Sequence, residues 1–120
     1  MATPSANALG RVGEEIVARY LDRKGLHVLD RNWRCEEGEI DIVALSDATL
    51  VVVEVKTRIG LGHGHPLEAI DEVKLRRLQH LARAWRDTHP IQSSGIRIDA
   101  AAVIVDRTGK ITLDYRKAIA

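Results

Sequence analysis

The sequence predicts an α/β domain: a mixed central sheet with helices packed on it, in the order α-β-β-β-α-β-β. Two long segments repeat apolar residues at helical spacing, whereas the segments between and after them are short, β-branched and bounded by Gly, Asn and Asp. A chain of 120 residues fits one domain, 1–120, and no repeat, low-complexity tract or linker divides it.

The elements follow in order. Asn7 or Ser5 can cap a first helix running to about Lys24, with Leu9, Val12, Ile16, Val17, Tyr20 and Leu21 as its apolar stripe and Gly25 as its stop. Gly13 lies on that stripe, where a missing side chain lets the helix approach the sheet closely. Leu26–Arg31 reads as a short strand. Glu39–Leu45 and Leu50–Lys56 are β-branched strands joined by the polar tetrapeptide Ser46-Asp47-Ala48-Thr49, a hairpin loop. Gly60 to Pro66 is a glycine-rich loop. A second helix is expected over Leu67–Asp87, with Leu67, Ile70, Leu78, Leu81 and Trp85 inward. Ile96–Val105 and Ile111–Tyr115 are later strands, joined by a turn at Asp106-Arg107-Thr108-Gly109.

Register brings out the chemistry. A hairpin symmetric about the Asp47–Ala48 bond sets Leu45 opposite Leu50, Asp41 opposite Glu54 and Glu39 opposite Lys56. Side chains two apart share a strand face, so Glu39, Asp41, Glu54 and Lys56 form one polar cluster. Directly opposed Cβ atoms lie about 4.5–5.5 Å apart, where like charges destabilise a sheet. Asp41 against Glu54 therefore asks for a counter-charge, and hard oxygen ligands suit Mg2+ or Mn2+.

Composition narrows the classes. Net charge is only +1, yet arginine outnumbers lysine 13 to 5, a bias that suits bidentate phosphate contacts. The single Cys35 excludes an internal disulfide and a cysteine-cluster zinc site, and fits a reducing cytoplasm. No apolar run approaches membrane-spanning length and the N-terminus lacks a secretory pattern, so a cytoplasmic, membrane-free protein is expected.

The motifs Gly38-Glu39-Ile40-Asp41 and Glu54-Val55-Lys56-Thr57-Arg58 resemble those of the YraN-like family of small bacterial endonuclease-like proteins. That family belongs with the PD-(D/E)xK nucleases and is kin to archaeal Holliday-junction resolvases. Further matches are Gly10-Arg11-Val12-Gly13-Glu14, Asn32-Trp33-Arg34, Gly64 to Ala69, Lys74 and Arg97-Ile98-Asp99, spread over nearly the whole chain. The resemblance implies a restriction-endonuclease-like core and a DNA-cleaving, Mg2+-dependent activity, with Mn2+ able to substitute. It also implies Asp41, Glu54 and the Val55 carbonyl as metal ligands, joined by Glu14 from the first helix. Lys56 is implied beside the attacking water or the phosphoryl oxygens. Branched or structured DNA is the expected substrate, and a homodimer follows by analogy with resolvases. The other reading is a nuclease-fold protein that binds nucleic acid, or joins a larger assembly, without cutting.

Other residues have open roles. Glu39 either pairs with Lys56 or joins the ligands. Lys74, between Ile70 and Leu78 at helical spacing, either extends to the rim or points into the site. Arg34 and Arg58 are expected phosphate contacts. His63 fits stacking or phosphate contact near the cleft, and His63 with His65 raises a zinc alternative that lacks an evident third ligand. Trp33 and Trp85 are expected to pack, His80 and His89 to lie on the surface, and Arg76, Arg77, Arg83 and Arg86 to form a solvated helix face.

Overall fold

The computed structural model describes residues 6–60, 62 and 64–120. They form α1 (Ala6–Arg23), β1 (His27–Cys35), β2 (Gly38–Ser46), β3 (Thr49–Ile59), a 3-10 turn (Pro66–Ala69), α2 (Glu72–Asp87), β4 (Gly95–Val105) and β5 (Ile111–Arg116). The five strands make one sheet in sequence order. β1, β2 and β3 pair antiparallel, β3 and β4 pair parallel, and β4 and β5 pair antiparallel. The parallel step needs a crossover, and α2 supplies it. The expected element order is therefore the observed one, an α/β arrangement with one mixed sheet.

A helix covers each face. Val17, Ala18 and Leu21 of α1 pack with Ile42, Ala44, Val51, Val53, Ala101 and Val103. Leu78, Leu81 and Trp85 of α2 pack with Ile40, Val43, Leu50, Val52 and Ile98 on the other face. This explains the unbroken apolar run Leu50–Val53, all of it fully buried: a strand covered on both sides needs no polar alternation. Gly13 performs its expected task. A Cβ there would stand 1.8 Å from Thr57 Oγ1, so only glycine lets α1 settle on β3.

Several expectations are corrected. The stripe of α1 differs from the prediction at one edge: Val17 and Leu21 are buried and Ile16 and Tyr20 pack beside them, whereas Val12 is 48% exposed. Asn7 lies within the first turn of α1 and does not cap it, and Ser5 lies outside the described residues. The second helix does not begin at Leu67. Pro66 opens a 3-10 turn, Ile70 turns extended, and Asp71 caps a new start by accepting from the Lys74 N–H at 2.9 Å. The hairpin loop contracts to Asp47-Ala48, because Ser46 and Thr49 pair and Asp47 takes a positive φ of 51°. β1 runs on to Cys35, beyond the predicted Arg31, held by pairing with Gly38 at the start of β2.

Candidate active site

The predicted register holds where the strands pair: Leu45 faces Leu50 and Ile42 faces Val53. There the β2–β3 ladder ends. β2 stays with β1 as far as the Gly38–Cys35 pair, and β3 stays with β4 as far as Ile59–Val105. The sheet forks at the next position, which is where Asp41 and Glu54 stand.

The fork coincides with a local irregularity in β1. Asn32 lies between the Arg31–Ile42 and Trp33–Ile40 pairs and adopts φ 52°, a left-handed conformation that Asn tolerates better than most residues. Strand alternation fails opposite it: Ile40 packs on the α2 face while Ile42, two residues on, packs on the α1 face. Asp41 sits at this break. Its Oδ2 accepts from the Val55 N–H at 2.8 Å, so a side chain spans the gap that a backbone ladder bond would otherwise close.

Glu54 is 8% exposed, a buried carboxylate on the α2 side. Lys56 Nζ lies 3.8 Å from its Oε1 and Lys74 Nζ lies 3.7 Å from its Oε2. Of the two placements expected for Lys74, the structure shows its ammonium turned toward Glu54. Burial first, and then the charge of Glu54, push the Asp41 carboxyl up to about 7, against the Val55 N–H bond that favours its ionised form. The Val55 N–H that holds Asp41 follows Glu54 directly in β3, which sets the two acids close together at the fork.

Glu14 approaches from α1. Burial raises its carboxyl above the usual range, while a hydrogen bond with Asn32 acts against that rise. Its charge also raises Asp41, so the three acids share one electrostatic environment. Glu14 Oε2, and Thr57 Oγ1 facing Gly13, are buried without a hydrogen-bond partner among the described residues. An unsatisfied carboxylate oxygen in the same electrostatic environment as Asp41 is what a hard divalent cation would satisfy. In this respect the residues fit Mg2+ or Mn2+. The fit is incomplete in one respect: among the described residues no three His, Cys, Asp or Glu side chains are gathered at metal-holding distances.

The remaining predicted residues divide. Glu39 does not pair with Lys56, because the β2–β3 ladder stops short of it. It holds Arg34 of the adjacent strand instead, at 2.8 Å. Arg34 is 79% exposed and Arg58 is exposed at the end of β3, both open to a ligand. His63 lies outside the described residues. His65 is structural: Nδ1 accepts from the Leu67 N–H at 3.1 Å, which leaves Nε2 to donate to Asp114 Oδ2 at 2.9 Å. With both ring nitrogens engaged, it offers nothing to zinc. Trp85 is buried, as expected, and its Nε1 donates to Asp30 Oδ2 at 2.9 Å. His89 is not a simple surface residue. It stacks on Trp85 with centroids 3.9 Å apart, and its Nδ1 lies 2.6 Å from the Trp85 carbonyl.

Sequence reasoning missed the parts of Asn32 and Thr57. Asn32 stood within the motif Asn32-Trp33-Arg34, and its residue type signalled a left-handed position. Thr57 could be found only by seeing what faces Gly13.

Fold and site together define a class: an α/β protein with one mixed five-stranded sheet between two helices, whose acids and lysines gather where two strands part. The comparisons then place it. The chain belongs to the Uncharacterised protein family UPF0102, whose profile matches residues 13–103; this is the YraN-like family that the motifs resemble. A UPF0102 protein of Arthrobacter sp. is 48% identical over 111 residues, covering 92% of this chain and 94% of its own. One from Clavibacter michiganensis is 49% identical over 106 residues, covering 88% and 90%. One from Streptomyces griseus is 45% identical over 113 residues, covering 93% and 95%. A solved structure of Pyrococcus furiosus SfsA in complex with Ca2+ is similar at 15% identity and a TM-score of 0.46, covering 94% of this chain; the present chain spans 64% of that one. No helix among the described residues is long and apolar enough to cross a membrane.

Proposed function

We propose that this protein is a metal-dependent endonuclease that hydrolyses DNA phosphodiesters, branched or structured DNA being the favoured substrate. The observation that carries this reading is Asp41 held by the Val55 N–H beside Glu54 at the fork, with Lys56 and Lys74 on Glu54. Asp41, Glu54 and the Val55 carbonyl, joined by Glu14, would hold Mg2+ or Mn2+. When bound, the cation supplies an activated water and neutralises developing phosphoryl charge.

The chain's own groups do the rest. Asp41 is held by the Val55 N–H, so its second oxygen is presented in a fixed position. Lys56 and Lys74, each about one-third exposed, can turn from Glu54 toward a phosphate at little cost, since neither is within hydrogen-bond distance of it. There they would hold charge on the non-bridging oxygens, while Arg34 and Arg58 at the rim contact flanking phosphates.

A second reading is favoured by Glu54 already having two lysine counter-charges. On it, the site binds nucleic acid without cutting. The test is a panel of single-stranded, duplex, flapped and four-way DNA with Mg2+ or Mn2+. Cleavage by wild type that falls roughly 100-fold or more in Asp41→Ala, Glu54→Ala and Lys56→Ala supports the enzyme. Identical products from wild type and Asp41→Ala would refute it. Salt-sensitive binding that survives Asp41→Ala, without cleavage, would establish the second reading.

A further inference from the structure

A second polar site lies away from the acids, on the α1 face at the hairpin end of the sheet. It is a cavity of about 370 Å3 whose wall includes Tyr20, Lys24, Ser46, Arg97, Tyr115 and Lys117. That volume is in the range of small-molecule pockets, roughly 300–1,000 Å3. No carboxylate lines it. Lys24 and Lys117 form no ion pair among the described residues, although Lys24 lies over the Tyr20 ring at 5.6 Å.

One fully buried carboxylate organises this wall from behind. Asp99, at 0% exposure, accepts from Arg97 Nε at 2.9 Å and Nη2 at 3.0 Å. It also accepts from the Tyr115 hydroxyl, and from the Ala118 N–H at 2.8 Å. Arg97, Tyr115 and the backbone beside Lys117 are thereby held by one anion. Its charge cancels that of Arg97 and leaves the two lysines in excess. Arg97 keeps its Nη1 protons free of that fork, and the hydroxyl of Ser46 adds a donor. Tyr20 and Tyr115 lie with ring centroids 4.8 Å apart and give the cavity an aromatic side.

The geometry points to a binding site for a terminal phosphate monoester borne on a group of nucleotide size. Such a phosphate carries about −1.5 to −2 charge near pH 7, which matches the two lysines, and Arg97 offers planar donors to its oxygens. The aromatic wall accommodates the attached sugar or base. The same chemistry occurs in a free mononucleotide and at a 5′-phosphorylated strand end. The site is independent of the acidic fork, whose Glu54 and lysines face α2.

Titration calorimetry and amide chemical shifts, without divalent metal, test this with 5′-AMP, adenosine, inorganic phosphate, and an oligonucleotide with or without its 5′-phosphate. The expected result is saturable AMP binding at least roughly tenfold tighter than adenosine, with shifts at Tyr20, Ser46 and Ala118. Lys24→Glu/Lys117→Glu alters only exposed positions and should keep wild-type stability while weakening AMP roughly tenfold or more. A 5′-phosphorylated oligonucleotide that outcompetes AMP, with its unphosphorylated form inert, assigns the site to strand ends; the reverse order assigns it to free nucleotides. Equal affinity for AMP and adenosine, AMP binding unchanged in the double variant, or no saturation by about 10 mM of any phosphate probe would overturn the proposal.

Discussion

Asp41→Asn separates the electrostatics of the fork from its shape. The amide keeps an acceptor for the Val55 N–H and cannot ionise. In the wild type, the folded carboxyl titrates at about 7 against 3.8 in the unfolded chain. Between those values the unfolded chain has lost the proton and the folded chain retains it, so stability falls as pH rises through this window. At about 1.36 kcal/mol per pH unit, the span from 3.8 to about 7 caps the loss at about 4 kcal/mol. Asp106 and Asp114 titrate low, held down chiefly by the Thr108 hydroxyl and by Arg116. Their contributions are lost as pH falls below the window, and they cancel between wild type and variant. Urea denaturation followed by tryptophan fluorescence, from about pH 4 to pH 8, should therefore show a declining wild-type curve, a flatter Asp41→Asn curve, and a variant more stable than wild type at pH 8. Mg2+ at about ten times its dissociation constant should return about 1.4 kcal/mol to wild type at pH 8 and little to the variant. Coincident pH profiles for the two proteins would refute the reasoning about the fork.

Three further outcomes follow from packing and charge. Gly13→Ala drives a methyl into Thr57 and should cost about 1–3 kcal/mol by urea denaturation; a loss under about 0.5 kcal/mol would show that α1 is not seated as described. Asp99→Ala strands a largely buried Arg97, 18% exposed, and should cost about 3–5 kcal/mol, with Asp99→Asn milder because it keeps part of the hydrogen bonding; equal stability of Asp99→Ala and wild type would contradict this. Trp85→Ala opens the α2 face of the core and should cost about 3–5 kcal/mol, measured by thermal unfolding, with a loss under about 1 kcal/mol counting against the packing.

Much of this architecture is legible in the residues alone. Helical spacing located both helices, β-branching located the strands, and the polar tetrapeptide after Leu45 set the hairpin register that brings Asp41 to the level of Glu54. The family resemblance added Glu14 and Lys74 to the candidate site, which no local periodicity could have done. Pairing beyond the paired segment was not legible. Glu39 was expected against Lys56 because an ideal ladder was extended past Ile42, and nothing local announces that the ladder stops there.

Local rules thus determined which segments fold as helix or strand and which ionisable residues lie near the fork, because spacing and side-chain type act within a few residues. Contacts between distant segments decided the remainder. The left-handed Asn32 on β1 stands opposite the point where the alternation of β2 fails, Thr57 requires glycine at position 13 of α1, and Asp99 draws Arg97, Tyr115 and the Ala118 backbone around a cavity. Each depends on groups that meet only when the sheet closes, where burial makes one unpaired oxygen or one added methyl count for several kcal/mol.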